Sequence, residues 1–131
     1  MITSPSITTA DNIALGLRAQ GLARAAARDK AHAMGAVLGL DFEALAAYPH
    51  QLSGGMQSRA ALARALVLEP DLLLMDEPFA ALDIGLKAQL HRLLLRHQRE
   101  KGTAVLMITH DLMEAVRLAD TVLVMAAGPG R

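Results

Sequence analysis

The hydrophobic positions of the chain change their spacing about halfway along it. Before about residue 68, Ala and Leu recur at helical intervals between polar residues and are interrupted by glycines. Beyond that point three short apolar runs without alternation appear, at 71–75, 103–108 and 121–125. Apolar strands of this kind, separated by helices, indicate a parallel sheet covered on both faces. The pattern therefore predicts a helical part over about 8–68 and an α/β part over about 69–131.

Capping residues predict where the helices begin and end. Thr8, followed three residues later by Asp11, is typical of a helix start, and Gly21 breaks the helix that begins there. A second, Ala-rich helix should end at Gly39. In the α/β part a shorter helix begins near Asp111, and a longer one is indicated by leucines that share one helical face: Leu86, Leu90, Leu93 and Leu94.

Composition and charge exclude several classes of protein. The chain has 131 residues, is 53% hydrophobic and has zero formal net charge, which is typical of one globular domain or part of one. Thirteen basic residues balance thirteen acidic ones, so there is no electrostatic case for nucleic acid as a partner. The absence of cysteine excludes disulfides and thiolate metal sites. No apolar stretch reaches the roughly 18 residues of a membrane span, so any link to a membrane must go through a partner.

Polar residues come directly after two of the predicted strands. Asp76 and Glu77 come after the first, and Thr109, His110 and Asp111 come after the second. Functional groups gather beyond the carboxyl ends of parallel strands, so we expect both sets at one edge, close enough for one reaction centre. There Asp76 suits Mg²⁺ held through water, Glu77 suits activation of an attacking water, and His110 suits donation to a phosphoryl oxygen. Taken singly, each residue fits a polar turn or a surface position at least as well.

A different device precedes the first strand, at Ser53-Gly54-Gly55. Serine is a good helix N-cap, and two glycines let another molecule approach the free backbone amides of the helix. These amides and the helix dipole favour an anion. For an isolated Ser-Gly-Gly, a plain turn with an N-cap is the better interpretation.

In combination, four ordered segments resemble the motifs of the ATP-binding-cassette (ABC) ATPases. They are the signature motif, the Walker B segment with its catalytic glutamate, the D-loop and the switch histidine, at Leu52–Gln57, Leu72–Pro78, Ala81–Asp83 and Thr109–Asp111. Residues 10–50 resemble the end of the helical subdomain of that family. The resemblance covers essentially the whole chain and implies the α/β fold of a P-loop NTPase, present here as its C-terminal part.

The resemblance also implies roles for individual residues, with ATP and Mg²⁺ as cofactors. Glu77 and His110 become catalytic, and Asp76 holds Mg²⁺ through water. Five residues would face ATP held by a partner domain: Ser53, Gly54, Gly55, Gln57 and Asp83. Arg59 and Arg64 either support the phosphate site or are solvated helix charges. His32, His50, His91 and His97 lack metal-ligand spacing with a second ligand and receive no role.

The segment LMITHDLMEAVRLADTVLVM and the closing Ala127–Arg131 are similar to bacterial importers of the nitrate, sulfonate and taurine group. That similarity implies a peripheral subunit on the cytoplasmic face of the inner membrane. It implies a second ATP-binding subunit as dimer partner, a transmembrane permease and, indirectly, a substrate-binding protein. The transported solute is not encoded in these residues.

One departure from the family pattern is as informative as the match. A phosphate loop needs G-x-x-x-x-G-K-[ST], and none of the ten glycines is followed by Lys. By resemblance, the missing phosphate-loop strand should lie between 103–108 and 121–125, so we expect unpaired edges and uncovered apolar side chains. We expect the chain alone neither to bind nor to hydrolyse ATP measurably.

The alternative to an importer subunit is a non-catalytic module or remnant that donates its signature motif to a partner ATPase. ABC-type ATPases of DNA repair are disfavoured, because no heptad segment flanks the signature.

Overall fold

The computed structural model describes residues 4–80 and 82–129. Its helices and strands are, in chain order, α1 (Thr9–Ala19), α2 (Arg24–Val37), α3 (Phe42–Ala46), α4 (Gly54–Leu66), β1 (Leu72–Asp76), α5 (Ile84–Lys101), β2 (Ala104–Ile108) and α6 (Leu112–Leu118). A 3-10 turn at Pro49–Gln51 separates α3 from α4. The predicted order, helices first and parallel strands with flanking helices second, is confirmed. In the described ranges, no helix is both long and apolar enough to cross a bilayer.

The predicted helix boundaries are largely confirmed by cap geometry. The Thr8 hydroxyl accepts a hydrogen bond from the Asp11 amide at 3.2 Å, which caps α1. The Asp11 carboxylate does not return to the cap but pairs with Arg28 of α2 at 3.3 Å, so it joins two helices. Gly21 and Gly39 end α1 and α2 in the left-handed region, at φ of 97° and 76°.

The helical part is held by close packing of α1 against α2 and α4. Buried alanines on α2 and α4 let the helices approach the large side chains of α1, chiefly Ile13 and Leu17. Gly35 of α2 allows a close approach to α3, because an added Cβ would lie 2.6 Å from Cδ2 of Leu45. Arg59 of α4 donates to the carbonyl oxygens of Leu38 and Gly39, which end α2, at 3.4 and 3.1 Å. In this structure Arg59 therefore ties α4 to α2.

The sheet of the described residues consists of β1 and β2, which pair in parallel from Leu72 opposite Ala104 to Asp76 opposite Ile108. One face is buried: Leu73 and Met75 belong to the core that also contains Leu90 and Leu94 of α5. The other face is largely exposed: Leu72, Leu74, Leu106 and Ile108 are 56–66% exposed. The prediction of a sheet covered on both faces is therefore wrong for the described residues, whereas the expectation of uncovered apolar side chains is confirmed.

The predicted third strand at 121–125 does not form. Residues 122–126 have no regular secondary structure, and the side chains of Leu123, Val124 and Met125 are exposed. A strand needs a neighbouring backbone to exchange hydrogen bonds with. The strand expected beside this segment is the one that carries the phosphate loop, whose motif the sequence does not contain.

Candidate functional site

The paired ends of β1 and β2 bring Glu77 and His110 into contact. The Glu77 amide donates to the Ile108 carbonyl at 2.8 Å, which extends the parallel ladder by one bond. The Glu77 carboxylate then accepts from the His110 amide at 2.9 Å, and the same oxygen contacts Nδ1 of the His110 ring. The expectation that the two polar sets lie at one edge of the sheet is confirmed.

Glu77 has an unusual backbone conformation, with φ of 47°. The left-handed region costs a residue with a Cβ on the order of 1 kcal/mol, so such residues persist only where their surroundings hold them. Here the hydrogen bonds to Ile108 and His110 fix both the backbone and the side chain. Strain maintained in this way is typical of a functional position.

A cleft of about 160 Å³ opens beside this pair. It is lined by Glu77, Ala80, Lys87, Thr109, His110, Asp111 and Glu114. At about 30 Å³ per water molecule, the cleft holds several waters or a small anion. The Glu77 side chain is mostly buried, whereas that of His110 is 89% exposed and accessible to a ligand.

The contact with Glu77 constrains the chemistry of His110. A ring whose Nδ1 donates to the carboxylate has an unprotonated Nε2 when neutral and a second N–H donor at Nε2 when protonated. Donation to a phosphoryl oxygen therefore requires either the imidazolium form or release of Nδ1 from Glu77. The contact with Glu77 thus favours the tautomer of the neutral ring that carries its proton on Nδ1.

Asp76 ends β1 with an exposed carboxylate. Within residues 4–80 and 82–129, no group of three or more His, Cys, Asp or Glu side chains could hold a metal ion alone. One carboxylate fits Mg²⁺ nevertheless, because this ion keeps several waters and takes its remaining ligands from phosphates. The residues present therefore suit a nucleotide-dependent Mg²⁺ site and not a protein cage.

Three of the residues that line the cleft form, with His91 beneath it, a polar cluster that the sequence did not reveal. His91 Nε2 is 3.1 Å from Glu114 Oε2, and both side chains are buried. Lys87 Nζ lies 3.8 Å from the same Glu114 oxygen and 3.5 Å from Asp111 Oδ2. Lys87 and His91 are four residues apart on α5, and Asp111 and Glu114 are three apart at the start of α6. The spacing of a basic pair and an acidic pair is a sequence signal for each face, but their contact depends on how α5 packs against α6.

Asp111 also caps α6, since its Oδ1 accepts from the Glu114 amide at 3.1 Å. This hydrogen bond lowers the pKa of Asp111 below its ordinary value of 3.8. Partial desolvation opposes the shift, and the nearby Lys87 ammonium adds to it. The carboxylate next to His110 is therefore held in its charged form.

The Ser53-Gly54-Gly55 turn begins α4 as the sequence predicted. Ser53 caps the helix by accepting from the Met56 amide at 3.2 Å. Ser53 and Gly54 are exposed, and an added Cβ at Gly54 would meet no atom within 4 Å. Gln57 turns inward and donates through Nε2 to the carbonyls of Pro49 and Leu52, at 2.9 and 3.3 Å. The side-chain Nε2 of Gln57 thus joins the start of α4 to the residues that precede the turn.

Asp83 caps α5, with Oδ1 accepting from the Leu86 amide at 2.8 Å. Ala81, the first residue of the predicted D-loop, lies outside the described residues, as do Gly130 and Arg131 of the closing segment. Leu82 lies beside the signature turn, 3.6 Å from an added Cβ at Gly55. In the described part of the chain, no hydrogen bond or ion pair joins residues 53–57 to Glu77 or His110.

Comparison with protein families and curated proteins gives consistent matches. Residues 3–80 match the family model described as ABC transporter. The taurine import ATP-binding protein of Chromobacterium violaceum is 46% identical over 97% of this chain and 48% of its own length. An aliphatic sulfonates import ATP-binding protein of Pseudomonas fluorescens is 51% identical over 89% of this chain and 43% of its own length. An Fe(3+) ions import ATP-binding protein of the same species is 42% identical over 95% and 35%.

Solved structures give the same picture. A dimeric ATP-binding cassette in a post-hydrolysis state, bound to ADP and Pi, matches with a TM-score of 0.81 and 31% identity. That match covers 88% of this chain and 51% of the cassette. The chain therefore spans about half the length of the taurine and sulfonate relatives and of the cassette that it matches.

Proposed function

The chain belongs to the ABC transporter family, and we propose that it forms the C-terminal half of the ATP-binding subunit of an importer. The observation that carries this proposal is the contact between Glu77 and His110 at the joined ends of β1 and β2. It assembles a base and a proton donor beside a cleft of suitable size. Residues of about 8–68 would form the helical and signature part, and about 69–131 the catalytic core.

In this proposal the pair performs the chemistry of phosphoryl transfer to water. Glu77 orients the attacking water and accepts its proton, because its carboxylate is fixed in direction by the His110 amide. His110 stabilises charge that develops on the transferred phosphoryl group. Asp76 would hold Mg²⁺ through water, and the ion would supply positive charge against the phosphates.

The signature turn would act on a second nucleotide-binding domain. Ser53, Gly54 and Gly55 present free amides at the start of α4, and the open space at Gly54 permits the close approach of a phosphate. Gln57 takes part by holding the turn through the Pro49 and Leu52 carbonyls. Asp83 caps α5 and follows Leu82, the residue that lies beside Gly55. ATP would thus lie between two subunits.

The phosphate loop would come from other residues than these, since the sequence has no Gly-Lys step. Alone, the chain would leave Asp76, Glu77 and His110 without a bound nucleotide. The same fact favours a second candidate function: a non-catalytic module that donates its signature turn to a partner ATPase.

For the solute we propose a small sulfonate such as taurine. Relatives named for taurine and for aliphatic sulfonates match at 46% and 51% identity, against 42% for the relative named for Fe(3+). The subunit would then be bound to the cytoplasmic face of the inner membrane through a permease, and a substrate-binding protein would deliver the solute. The permease and the substrate-binding protein would select the solute. The proposal is therefore tested by transport assays, or by the identity of the permease genes linked to this one.

The test is ATP binding and phosphate release by the purified chain, alone and mixed with the phosphate-loop half of a taurine-type relative. We expect no turnover alone, turnover on mixing, and loss of that turnover in Glu77→Gln. Glu69→Gln is the matched control, because Glu69 is the other described non-glycine residue with positive φ, at 48°, and is exposed.

Turnover by the chain alone that Glu77→Gln abolishes would contradict the proposed dependence on a second half. No turnover on mixing, with the two halves bound to each other, would favour the non-catalytic module.

A further inference from the structure

We propose that His91 is a positioning residue that holds the Glu77 and His110 segments in register from beneath the cleft. The inference rests on the function proposed above and adds a residue to which the sequence analysis gave no role. His91 lies on α5, and its buried ring contacts residues of both segments. The ring does not line the cleft, so its effect must pass through its neighbours.

The first contact is with the segment after β1. The edge of the His91 ring meets Phe79 with the ring centroids 4.9 Å apart and the planes at 72°. Phe79 is fully buried and comes two residues after Glu77. Because Glu77 adopts a left-handed backbone conformation, its carboxylate direction depends on how this short segment is anchored.

The second contact is with the segment after β2. His91 Nε2 meets Glu114, whose carboxylate is only 3% exposed. Glu114 shares Lys87 with Asp111, and Asp111 is the residue after His110. The Asp111 amide also donates to the Thr109 hydroxyl at 3.0 Å, so His110 lies between two fixed neighbours.

Removal of the ring would disturb the segment after β2 for an electrostatic reason. A buried carboxylate needs hydrogen-bonding partners, and a buried charge that loses one is strongly unfavourable. Without His91, the carboxylate of Glu114 would keep, among the described residues, the longer contact with Lys87, at 3.8 Å. We expect the start of α6 to move toward a better partner and to carry Asp111 and His110 with it.

The same helix offers a matched control. His97 also lies on α5, but its Nε2 is buried with no hydrogen-bond partner in the described part of the chain. A substitution there changes the same residue type on the same helix without removing a contact to either segment. His97→Leu therefore reports what the loss of a helical histidine does by itself.

The experiment uses the whole chain without nucleotide. The backbone amide and ring resonances of His110 are followed by NMR in His91→Leu, His91→Gln and His97→Leu. We expect His91→Leu to shift them, His91→Gln to restore them in large part because its amide can still donate to Glu114, and His97→Leu to leave them in place. In the mixed ATPase, His91→Leu should lower kcat about tenfold with KM for ATP unchanged, since small misplacements of reacting groups are costly.

A folded His91→Leu chain with unshifted His110 resonances would overturn the inference. If that variant does not fold, His91→Gln and His91→Asn decide: both are polar, but only glutamine is long enough to reach Glu114. Equal His110 resonances in these two would also overturn it. Because the NMR measurement needs no ATP, a failure of the mixed ATPase counts against the proposed function and leaves this inference to its own test.

Discussion

Gly54 is exposed at the start of α4, and nothing within the described part of this chain requires a glycine there. An added methyl group would meet no atom, and the residue does not have positive φ. We therefore predict that Gly54→Ala leaves the free energy of unfolding unchanged or raises it by up to about 1 kcal/mol, because alanine favours a helix. Turnover by the mixed halves should fall at least about tenfold, because the methyl group blocks close approach of a phosphate.

Gly85→Ala is the control for this prediction. Gly85 also lies in the first turn of a helix, α5, and an added methyl group would meet only Asp83 Oδ1, at an ordinary 3.6 Å. Gly85→Ala should gain as much stability as Gly54→Ala, and its ATP turnover in the mixed halves should equal that of the unmodified chain. Equal turnover in Gly54→Ala and the unmodified chain would remove the signature turn from the proposed mechanism.

Asp111 makes stability depend on pH at a single carboxylate. Its pKa is lowered in the fold, first by the Glu114 amide and then by Lys87, so the folded state binds this proton less readily than the unfolded state. Such a group stabilises the fold above its unfolded pKa, and the contribution disappears as pH falls below 3.8 and through the folded pKa. We predict that Asp111→Ala is less stable than the unmodified chain at pH 7 and that the gap narrows below about pH 4.

Urea unfolding followed by circular dichroism between neutral and acidic pH measures this gap. Asp111→Asn separates the two causes, because asparagine keeps a cap acceptor but has no charge for Lys87. A gap that stays constant across the whole pH range would show that the charge of Asp111 contributes nothing.

The residues that the sequence predicted for the site differ physically from those that it did not reveal. Glu77 and His110 come directly after apolar runs, and the end of a strand fixes the position of the next residue relative to the sheet. His91 lies within a helix whose pattern predicts only which positions are apolar. Its partner Glu114 is 23 residues away, so the contact depends on how α5 packs against α6. The contacts of Arg59 were not predictable for the same reason, since its partners end another helix.

At the scale of elements, α1 depends on one buried side chain for its connection to the segment before it. Asn12 donates through Nδ2 to the carbonyls of Ser4, Ile7 and Thr8, and its Oδ1 accepts from the Ser4 amide at 2.7 Å. We predict that Asn12→Ala destabilises the chain by about 1–3 kcal/mol, because partly buried backbone groups lose their hydrogen-bond partner.

Thermal unfolding with Gln20→Ala as the reference tests this. Gln20 is exposed at the end of α1, and a surface substitution of this kind should change stability by no more than about 0.5 kcal/mol. A melting temperature for Asn12→Ala equal to that of Gln20→Ala would contradict the prediction.

Element boundaries were predictable where the signal is local, and strand formation was not. Four helices begin at a residue whose side chain accepts a hydrogen bond from the amide three residues later: Thr8, Ser53, Asp83 and Asp111. Both partners of such a bond lie within one short stretch of sequence. Residues 121–125 have the composition of a strand, but hydrogen bonding in a strand depends on a neighbour. Composition alone could not supply that neighbour.

On the scale of the whole molecule, the described sheet is covered on one side only. The side chains of Leu72, Leu74, Leu106 and Ile108 lie on one face across β1 and β2, with Leu74 opposite Leu106 at its centre and Asp76 at its end. The exposed run at 122–125 adds further apolar surface. Such an exposed apolar face favours association between copies of the chain. The chain has no net charge, so electrostatic repulsion does not oppose this association.

We therefore predict that the purified chain self-associates in a concentration-dependent manner, measurable by sedimentation velocity. Leu74→Lys should shift the distribution toward monomer, because it places a charge on the centre of the apolar face, where Leu74 is 66% exposed. Val37→Lys is the control: Val37 is 56% exposed but lies at the end of α2, so it adds the same charge without touching the sheet.

Addition of the phosphate-loop half should reduce self-association of the unmodified chain, since the face would then be buried between the halves. A chain that stays monomeric at all concentrations, or equal effects of the two lysines, would mean that this face does not drive association.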